Sequence, residues 1–534
     1  MTRSGSLVAV ADVAIIGSGF AGSLTALALR SMGRSVVLLE RGRHPRFAIG
    51  ESSTPLANLL VEELCDRYGL ERVRPLSKWG TWQGRYPDVA GGLKRGFSFY
   101  RHELGEPFRD RDNHDRQLLV AASPHDDIAD THWYRPDVDH FLVKEAASAG
   151  AEYLDEVELT AVRTDVRGAV LEGRRHGQPL QIRARFVIDA SGPRGFLHRA
   201  LSLGERPLQW LPPTQALFTH FSGVERWDRT VAVGESPPFP VDLAALHHVF
   251  PGGWIWVLRF NNGITSAGAA LTDAVAASID ISVEGAWDRL LSQLPSVARQ
   301  FQDARATRPF IHTPRVAFRS AVVTGESWAL LPSAAGVIDP LLSTGFPLTL
   351  LGIQRLLRVL ESDRWDGHAF ASACADYAAR TERELDATEQ LVGALYASMG
   401  DFQLFKRLSL LYFAAASYSE TARRLGMGDK ANGFLLCDDP VFGQETRACV
   451  AAALADPVGD RRAALVARID RAIEPFDVAG LGDRQRRDWY PVRADDLIAA
   501  APRLGATPIQ IERLLERSGF AGLSGLRNPR SPSA

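Results

Sequence analysis

The period of apolar and polar positions changes along the chain, and the changes mark its elements. Val13-Ala-Ile-Ile16 is an unbroken apolar run stopped by Gly17-Ser-Gly19-Phe-Ala-Gly22. Leu24, Leu27, Ala28 and Met32 then recur at helical spacing, and Ser35-Val-Val-Leu-Leu39 returns to a strand pattern. This order predicts a βαβ unit ending at Glu40. Phe186 to Asp189, followed by Gly192, predicts a further buried strand. A third such piece runs from Trp328 through Asp339-Pro340 and Ser343-Thr344-Gly345 into an apolar helix over Leu348–Leu360. Between these pieces, Ala216–Phe221, His248–Phe250, Trp254–Phe260 and Ser266–Leu271 are strand-rich and predict an antiparallel sheet. Beyond 366, Phe370–Tyr396, Phe402–Leu425 and Asp496–Ala501 alternate apolar and charged faces as helices do. The expected organisation is α/β: a nucleotide-binding part over 10–204, the sheet over 205–320, the rest of the nucleotide part over 321–365, a helical region over 366–525 and a disordered tail over 526–534.

The glycines of the first turn have a chemical reason. Backbone N–H groups at a helix N-terminus attract a pyrophosphate, and residues lacking a Cβ let it approach. Glu40, at the end of the second strand, is placed to accept from ribose hydroxyls. With both strands, the helix and the acid present, the motif predicts dinucleotide binding, by either NAD or FAD. Composition narrows the partners. The 534 residues are 46% apolar and 23% charged, ample for a buried core. Lys and Arg number 61 against 63 Asp and Glu, so a net charge of −2 gives no attraction for nucleic acid. Four cysteines, Cys65, Cys374, Cys437 and Cys449, have neither disulfide-scaffold density nor zinc-site spacing, which fits a reducing cytoplasm. No run is long and apolar enough to predict a membrane span or a cleaved leader.

The scattering of three nucleotide-domain pieces resembles the FAD-dependent monooxygenases of the hydroxybenzoate-hydroxylase type, which implies a glutathione-reductase-type FAD-binding fold with an inserted sheet. Within that superfamily, Gly50-Glu-Ser-Ser-Thr-Pro55, Gly92-Leu-Lys94-Arg-Gly-Phe97, Gly253-Trp254-Ile-Trp256 and Asp339-Pro-Leu-Leu-Ser-Thr-Gly345 together resemble the flavin-dependent halogenases, nearest to the branch acting on phenols. The likeness spans about residues 10 to 425 and weakens beyond. It implies an enzyme that receives FADH2 from a separate reductase, forms a flavin C4a-hydroperoxide, oxidises chloride or bromide to hypohalous acid, and passes this through a tunnel to a lysine beside an electron-rich ring.

In that comparison Lys94 matches the family lysine, with Lys78 the other candidate in the first hundred residues and a solvated surface position the alternative for both. Thr344 and Gly345 match the halide position, although the same amides could serve only the flavin carbonyl. The cofactor set implied is Gly17, Gly19, Gly22, Glu40, Arg41, Ser52, Arg135, Asp189, Gly192, Asp339 and Gly345, with Asp139 supporting the helix start beside Arg135. Glu51 and Ser52 border the isoalloxazine, relaying a proton or capping a helix. Trp254 and Trp256, two apart on a strand, share a face and wall the tunnel with Phe97, or form plain aromatic core. Leu258 and Arg259 replace the family's Ile-Pro; Arg259 lies by the channel to bind an anion, or faces solvent. His247 and His248 lack a third ligand and read as structural. Leu342 stands where tryptophan halogenases carry a glutamate, which disfavours free tryptophan, since a phenol activates its own ring. The substrate is thus a small aromatic, free or tethered to a carrier protein. The competing readings are a flavin hydroxylase of aromatics or polyketides and a flavin-binding pathway protein without halogenating activity.

Overall fold

The structure, a computed structural model, describes residues 7–111, 113–231 and 235–520; the expected tail over 526–534 and the last residues of the helical region lie outside these. Along the chain run β1 (Leu7–Ile16), α1 (Phe20–Ser31), β2 (Val36–Leu39), α2 (Pro55–Tyr68), β3 (Gly91–Lys94), β4 (Gly96–Arg101), β5 (Gln117–Ala121), β6 (Asp130–Trp133), α3 (Arg135–Ser148), β7 (Glu152–Leu154) and β8 (Gln178–Asp189). There follow β9 (Thr214–Ser222), β10 (Ala245–Phe250), β11 (Gly253–Arg259), β12 (Thr265–Thr272), β13 (Trp328–Leu330), α4 (Gly345–Leu360), α5 (Gly367–Ser398), α6 (Phe402–Arg424), β14 (Trp489–Tyr490) and α7 (Pro508–Arg517), with further strands and helices between these.

The expected βαβ unit is present, because the apolar runs of β1 and β2 are buried on both faces and pair in parallel. Parallel pairing continues outward in the order β13–β8–β1–β2–β7, so three pieces distant in sequence become one Rossmann-like sheet. A second sheet has the order β9–β12–β11–β10–β4–β5–β14. It differs from the expected antiparallel sheet confined to 205–320. The early strands β4 and β5 and the late strand β14 belong to it, and β10 pairs with β4 in parallel. Each strand's alternate residues pack to opposite sides. Phe97, Phe99, Phe218, Trp254 and Trp256 join the large core shared with the first sheet and with α4 to α6. Tyr100, Leu119, Leu246, Ile255 and Val257 face a separate cluster.

One aromatic junction ties these layers where the glycine turn emerges. Phe20, the first residue of α1, stacks on Phe346 of α4 with centroids 4.6 Å apart and planes 7° from parallel; Trp133, ending β6, meets both edge-on. The starts of two helices are thereby held side by side. The four cysteines are free, and among the described residues no helix is long and apolar enough to cross a membrane.

Candidate active site

At the first helix start the glycines are required by space. A Cβ on Gly22 would lie 1.9 Å from the Gly17 carbonyl oxygen, and Gly17, at φ +98°, has the end of β8 2.7 Å from where its Cβ would be. Gly19 faces Arg135 across 3.2 Å at the same test position. Arg135 makes a two-pronged ion pair with Asp139, donates to the carbonyls of Ile49 and Gly50, and lies over the Phe20 ring. Asp139 in turn accepts from the Phe20 N–H, so the pair clips the 49–50 loop to the start of α1. Arg41 is exposed just beyond β2. Both carboxylate oxygens of Asp189 are engaged by its own turn, Oδ1 accepting from the Ser191 N–H and hydroxyl and Oδ2 from the Leu197 N–H; Gly192, at φ +89°, lets the chain turn there.

Glu40 is buried. Its Oε2 accepts from the Ser18 N–H, the Ser18 hydroxyl and Arg46, and its Oε1 accepts from the Gly42 N–H at 2.9 Å. A carboxylate has about four acceptor sites, so Oε1 keeps room for a ribose hydroxyl. Burial alone would raise the Glu40 pKa, but the Arg46 charge and these donors outweigh it and hold the group at about 2, below its ordinary 4.5. Because the folded value is the lower one, the stabilisation is complete above pH 4.5 and is lost as pH falls toward 2. We expect Glu40→Gln to cost up to about 3 kcal/mol at pH 7, and roughly half of that or less at pH 3, read as the wild-type minus variant difference in urea unfolding.

The second helix start is built differently. Leu342 (φ +64°) and Ser343 (φ +56°) are consecutive non-glycine residues in the left-handed region, a strained pair that turns the chain into α4. Thr344 is buried, whereas Gly345 is exposed and a Cβ there would meet nothing within 4 Å. Just before, Asp339 is buried; its Oδ1 accepts from the Leu341 N–H and its Oδ2 from the Tyr396 hydroxyl at 2.9 Å. Burial raises its pKa to about 6 despite those donors. Tyr396 also accepts from the Trp254 indole at 3.1 Å, joining the tryptophan strand to this turn. Trp254 and Trp256 are both buried on one face with centroids 5.6 Å apart.

Lys94 ends β3 and is fully buried. Its ammonium donates to the Ser52 hydroxyl at 2.9 Å and to the Ser53 carbonyl, and lies 3.8 Å above the centre of the Phe97 ring. Loss of water lowers its pKa, while Asp130, its directly opposite partner on β6, counters that effect. Gly92 allows the close fit, since a Cβ would lie 2.0 Å from the Arg259 carbonyl oxygen. Lys78 is instead partly exposed, 3.6 Å from Glu62. Glu51 is buried against His220 at 2.8 Å, with its second oxygen unpartnered among the described residues.

A partly open cavity of about 170 Å³ is lined by Phe97, Asn58, Asp130, Tyr412 and Lys78, with Ile511 and Leu514 of α7 also on its wall. Lys94 does not itself line it; the amine lies behind, over the Phe97 ring and opposite Asp130. Sequence reading missed Asn58, Asp130 and Tyr396, because only pairing across the fold brings them here. It also missed the wall supplied by α7, which lies past the end of the family likeness; the amphipathic spacing of Ile511, Leu514 and Leu515 was its one local signal. Arg259 is a correction. Odd positions of β11 face the separate cluster, so Arg259 points away from the tryptophan pair, pairing with Asp242 and donating to the carbonyls of Val224 and Glu225. Nor does it line the cavity beside Asp130.

Known proteins agree with this geometry. A family model described as tryptophan halogenase matches residues 131–402, and one for an NAD(P)-binding Rossmann-like domain matches 15–59. Monodechloroaminopyrrolnitrin halogenase PrnC of Pseudomonas fluorescens is 31% identical over 412 residues, 75% of this chain and 70% of that protein. Tetracycline 7-halogenase of Kitasatospora aureofaciens is 30% identical over 454 residues, 81% and 79% of the two. Among solved structures, halogenase PltM in complex with phloroglucinol and FAD superposes with a TM-score of 0.78 at 25% identity, covering 89% of this chain and 99% of that one.

Proposed function

This chain belongs to the flavin-dependent halogenase family, and from that premise we propose that it installs chlorine or bromine on a phenol-like ring held beside Lys94. It is an FADH2-dependent enzyme, an oxidoreductase. The first helix start, with its obligatory glycines, takes the pyrophosphate; Glu40 takes the ribose; the exposed, unobstructed Gly345 takes the flavin's pyrimidine edge, with halide against the Thr344 and Gly345 amides. Reduced flavin, when bound, would supply the electrons that activate dioxygen, and the activated oxygen would take two electrons from halide to give hypohalous acid. A separate flavin reductase delivers it, which fits the single glycine-rich nucleotide motif in the sequence.

The observation that carries this reading is the fully buried Lys94 amine, packed over Phe97 and opposite Asp130, both of which line the cavity. Away from water, Lys94 binds hypohalous acid by a short hydrogen bond or becomes an N-halo amine, and in both roles the protein fixes where the electrophile points. Trp254, linked through Tyr396 to Asp339 just before α4, and Trp256 beside it wall the transit against water. Two features favour a phenol over free tryptophan. Leu342 offers no carboxylate beside the helix start, and the structural neighbour PltM binds phloroglucinol, itself a phenol. Relatives named as acting on carrier-bound pyrrole are more distant, at 27% identity, so the substrate is read as a free aromatic.

The test is incubation of the enzyme with FAD, a flavin reductase, NADH and bromide over a set of phenols, with product followed by mass. A bromine isotope doublet is expected. Hydroxylated product lacking halogen would identify a hydroxylase instead.

A further inference from the structure

Asp130 is a carboxylate in an unusual position. It is buried at the cavity wall, its Oδ1 accepts from the Asn58 side-chain amide at 2.9 Å, and its Oδ2 has no hydrogen-bond partner among the described residues. Buried carboxylate oxygens are rarely left unpaired, because the lost hydration is costly. Here the opposed cation does not satisfy it directly: Lys94 sits across the β3–β6 ladder but donates to Ser52 and Ser53. Asn58 is held in turn by α2, whose first turn is capped by the Thr54 hydroxyl accepting from the Ala57 N–H. The fixed carboxylate, its unpartnered oxygen and the aromatic rings of Phe97 and Tyr412 all border one cavity.

Resting on the reading above, we propose that Asp130 is a second catalytic residue, which accepts the substrate's ring hydroxyl and takes its proton as the halogen is transferred. Burial disfavours the charged form of Asp130, and Lys94 opposes that tendency, so the group is a stronger base than an exposed aspartate. The proton inventory closes. Asp130 removes the phenol O–H proton. An electron pair of the phenolate ring forms the new carbon–halogen bond as the halogen–oxygen bond of hypohalous acid breaks, and the departing hydroxide takes a proton from the Lys94 ammonium to leave as water. Neutral Lys94 then takes the proton from the halogenated ring carbon, restoring the aromatic ring, and Asp130 returns its proton to the ring oxygen. The sum is phenol plus hypohalous acid giving halophenol plus water, with both side chains regenerated. Asn58 is a positioning residue, acting through the carboxylate it holds.

The role is separable from structural support by the acidity of the substrate. With FAD, reductase and bromide, wild type and Asp130→Asn are compared on phenol, neutral at pH 7.5, and on 2,3,5,6-tetrafluorophenol, which is ionised there and keeps a hydrogen on its para carbon. Asp130→Asn is expected to lose about a hundredfold in kcat/KM on phenol, the scale of one general base, and little on the tetrafluorophenol, with FAD affinity unchanged. Asn58→Leu should show the same selectivity at smaller size, which keeps the test decisive if the first variant folds poorly. Equal losses on both substrates, or none on either, overturn the assignment alone. Wild type inert toward both phenols overturns the phenol reading and this role with it.

Discussion

Replacing Lys94 with methionine should leave FAD bound and the fold intact while halogenation falls by about a thousandfold or more, the range typical of removing a positioned proton-transfer group. The expectation rests on how little else the amine does. Its partners are the Ser52 hydroxyl, the Ser53 carbonyl and the Phe97 ring, none of which lies in the phosphate turn or at the α4 start. Removing one partner of a buried ion pair costs about 3–5 kcal/mol when the other stays charged, but burial already favours the neutral form of Asp130, so part of that cost is relieved by protonation and a lowered melting temperature with a folded protein is expected. Asp130 then loses its counter-charge and takes up a proton. Lys94→Arg should not rescue activity, since a guanidinium stays protonated and its planar fork does not fit a pocket shaped around one nitrogen. Steady-state bromination together with flavin-fluorescence titration checks all three statements. Bromination by the methionine variant within tenfold of wild type would sink the lysine assignment.

Gly345→Leu should behave in the opposite way to most glycine substitutions in this chain. At Gly22 an added Cβ strikes the Gly17 carbonyl, so any substitution there damages the fold itself. At Gly345 the added atom meets nothing within 4 Å and the backbone is not in the left-handed region, so the protein tolerates it; leaving glycine in a helix gains up to about 1 kcal/mol. If the open space is where the flavin edge rests, the new side chain fills it. An overpacking cost of about 3 kcal/mol corresponds to a loss of FAD affinity of about a hundredfold. The expected result is therefore an unchanged or slightly higher melting temperature with weak FAD binding and no halogenated product. Wild-type affinity in that variant would move the flavin away from the α4 start.

The βαβ unit, its glycine turn and Glu40 were legible because every signal for them lies within one short segment, where strand period, helix period and the chemistry of a missing Cβ agree. Lys94 was legible through its motif, and so was the run from Asp339 to Gly345. Asp130, Asn58 and Tyr396 were not. Each is an ordinary polar residue within its own element, and only the β3–β6 ladder, the α2 cap and the approach of α5 to the tryptophan strand give it a partner. Arg259 failed for a related reason, since its neighbours in sequence are the paired tryptophans Trp254 and Trp256, whereas the face it takes depends on strand alternation and on where Asp242 lies.

Local periodicity and backbone sterics thus determined the nucleotide turn and the helical C-terminal region, because those properties depend on residues close together in the chain. The tertiary structure alone decided that strands from before 205 and after 485 complete the central sheet, that α7 lines the cavity and that a carboxylate faces the lysine. These depend on pairing between segments whose contact is favourable only after the intervening chain has folded, and no local pattern records the energy of a surface that has yet to meet its partner.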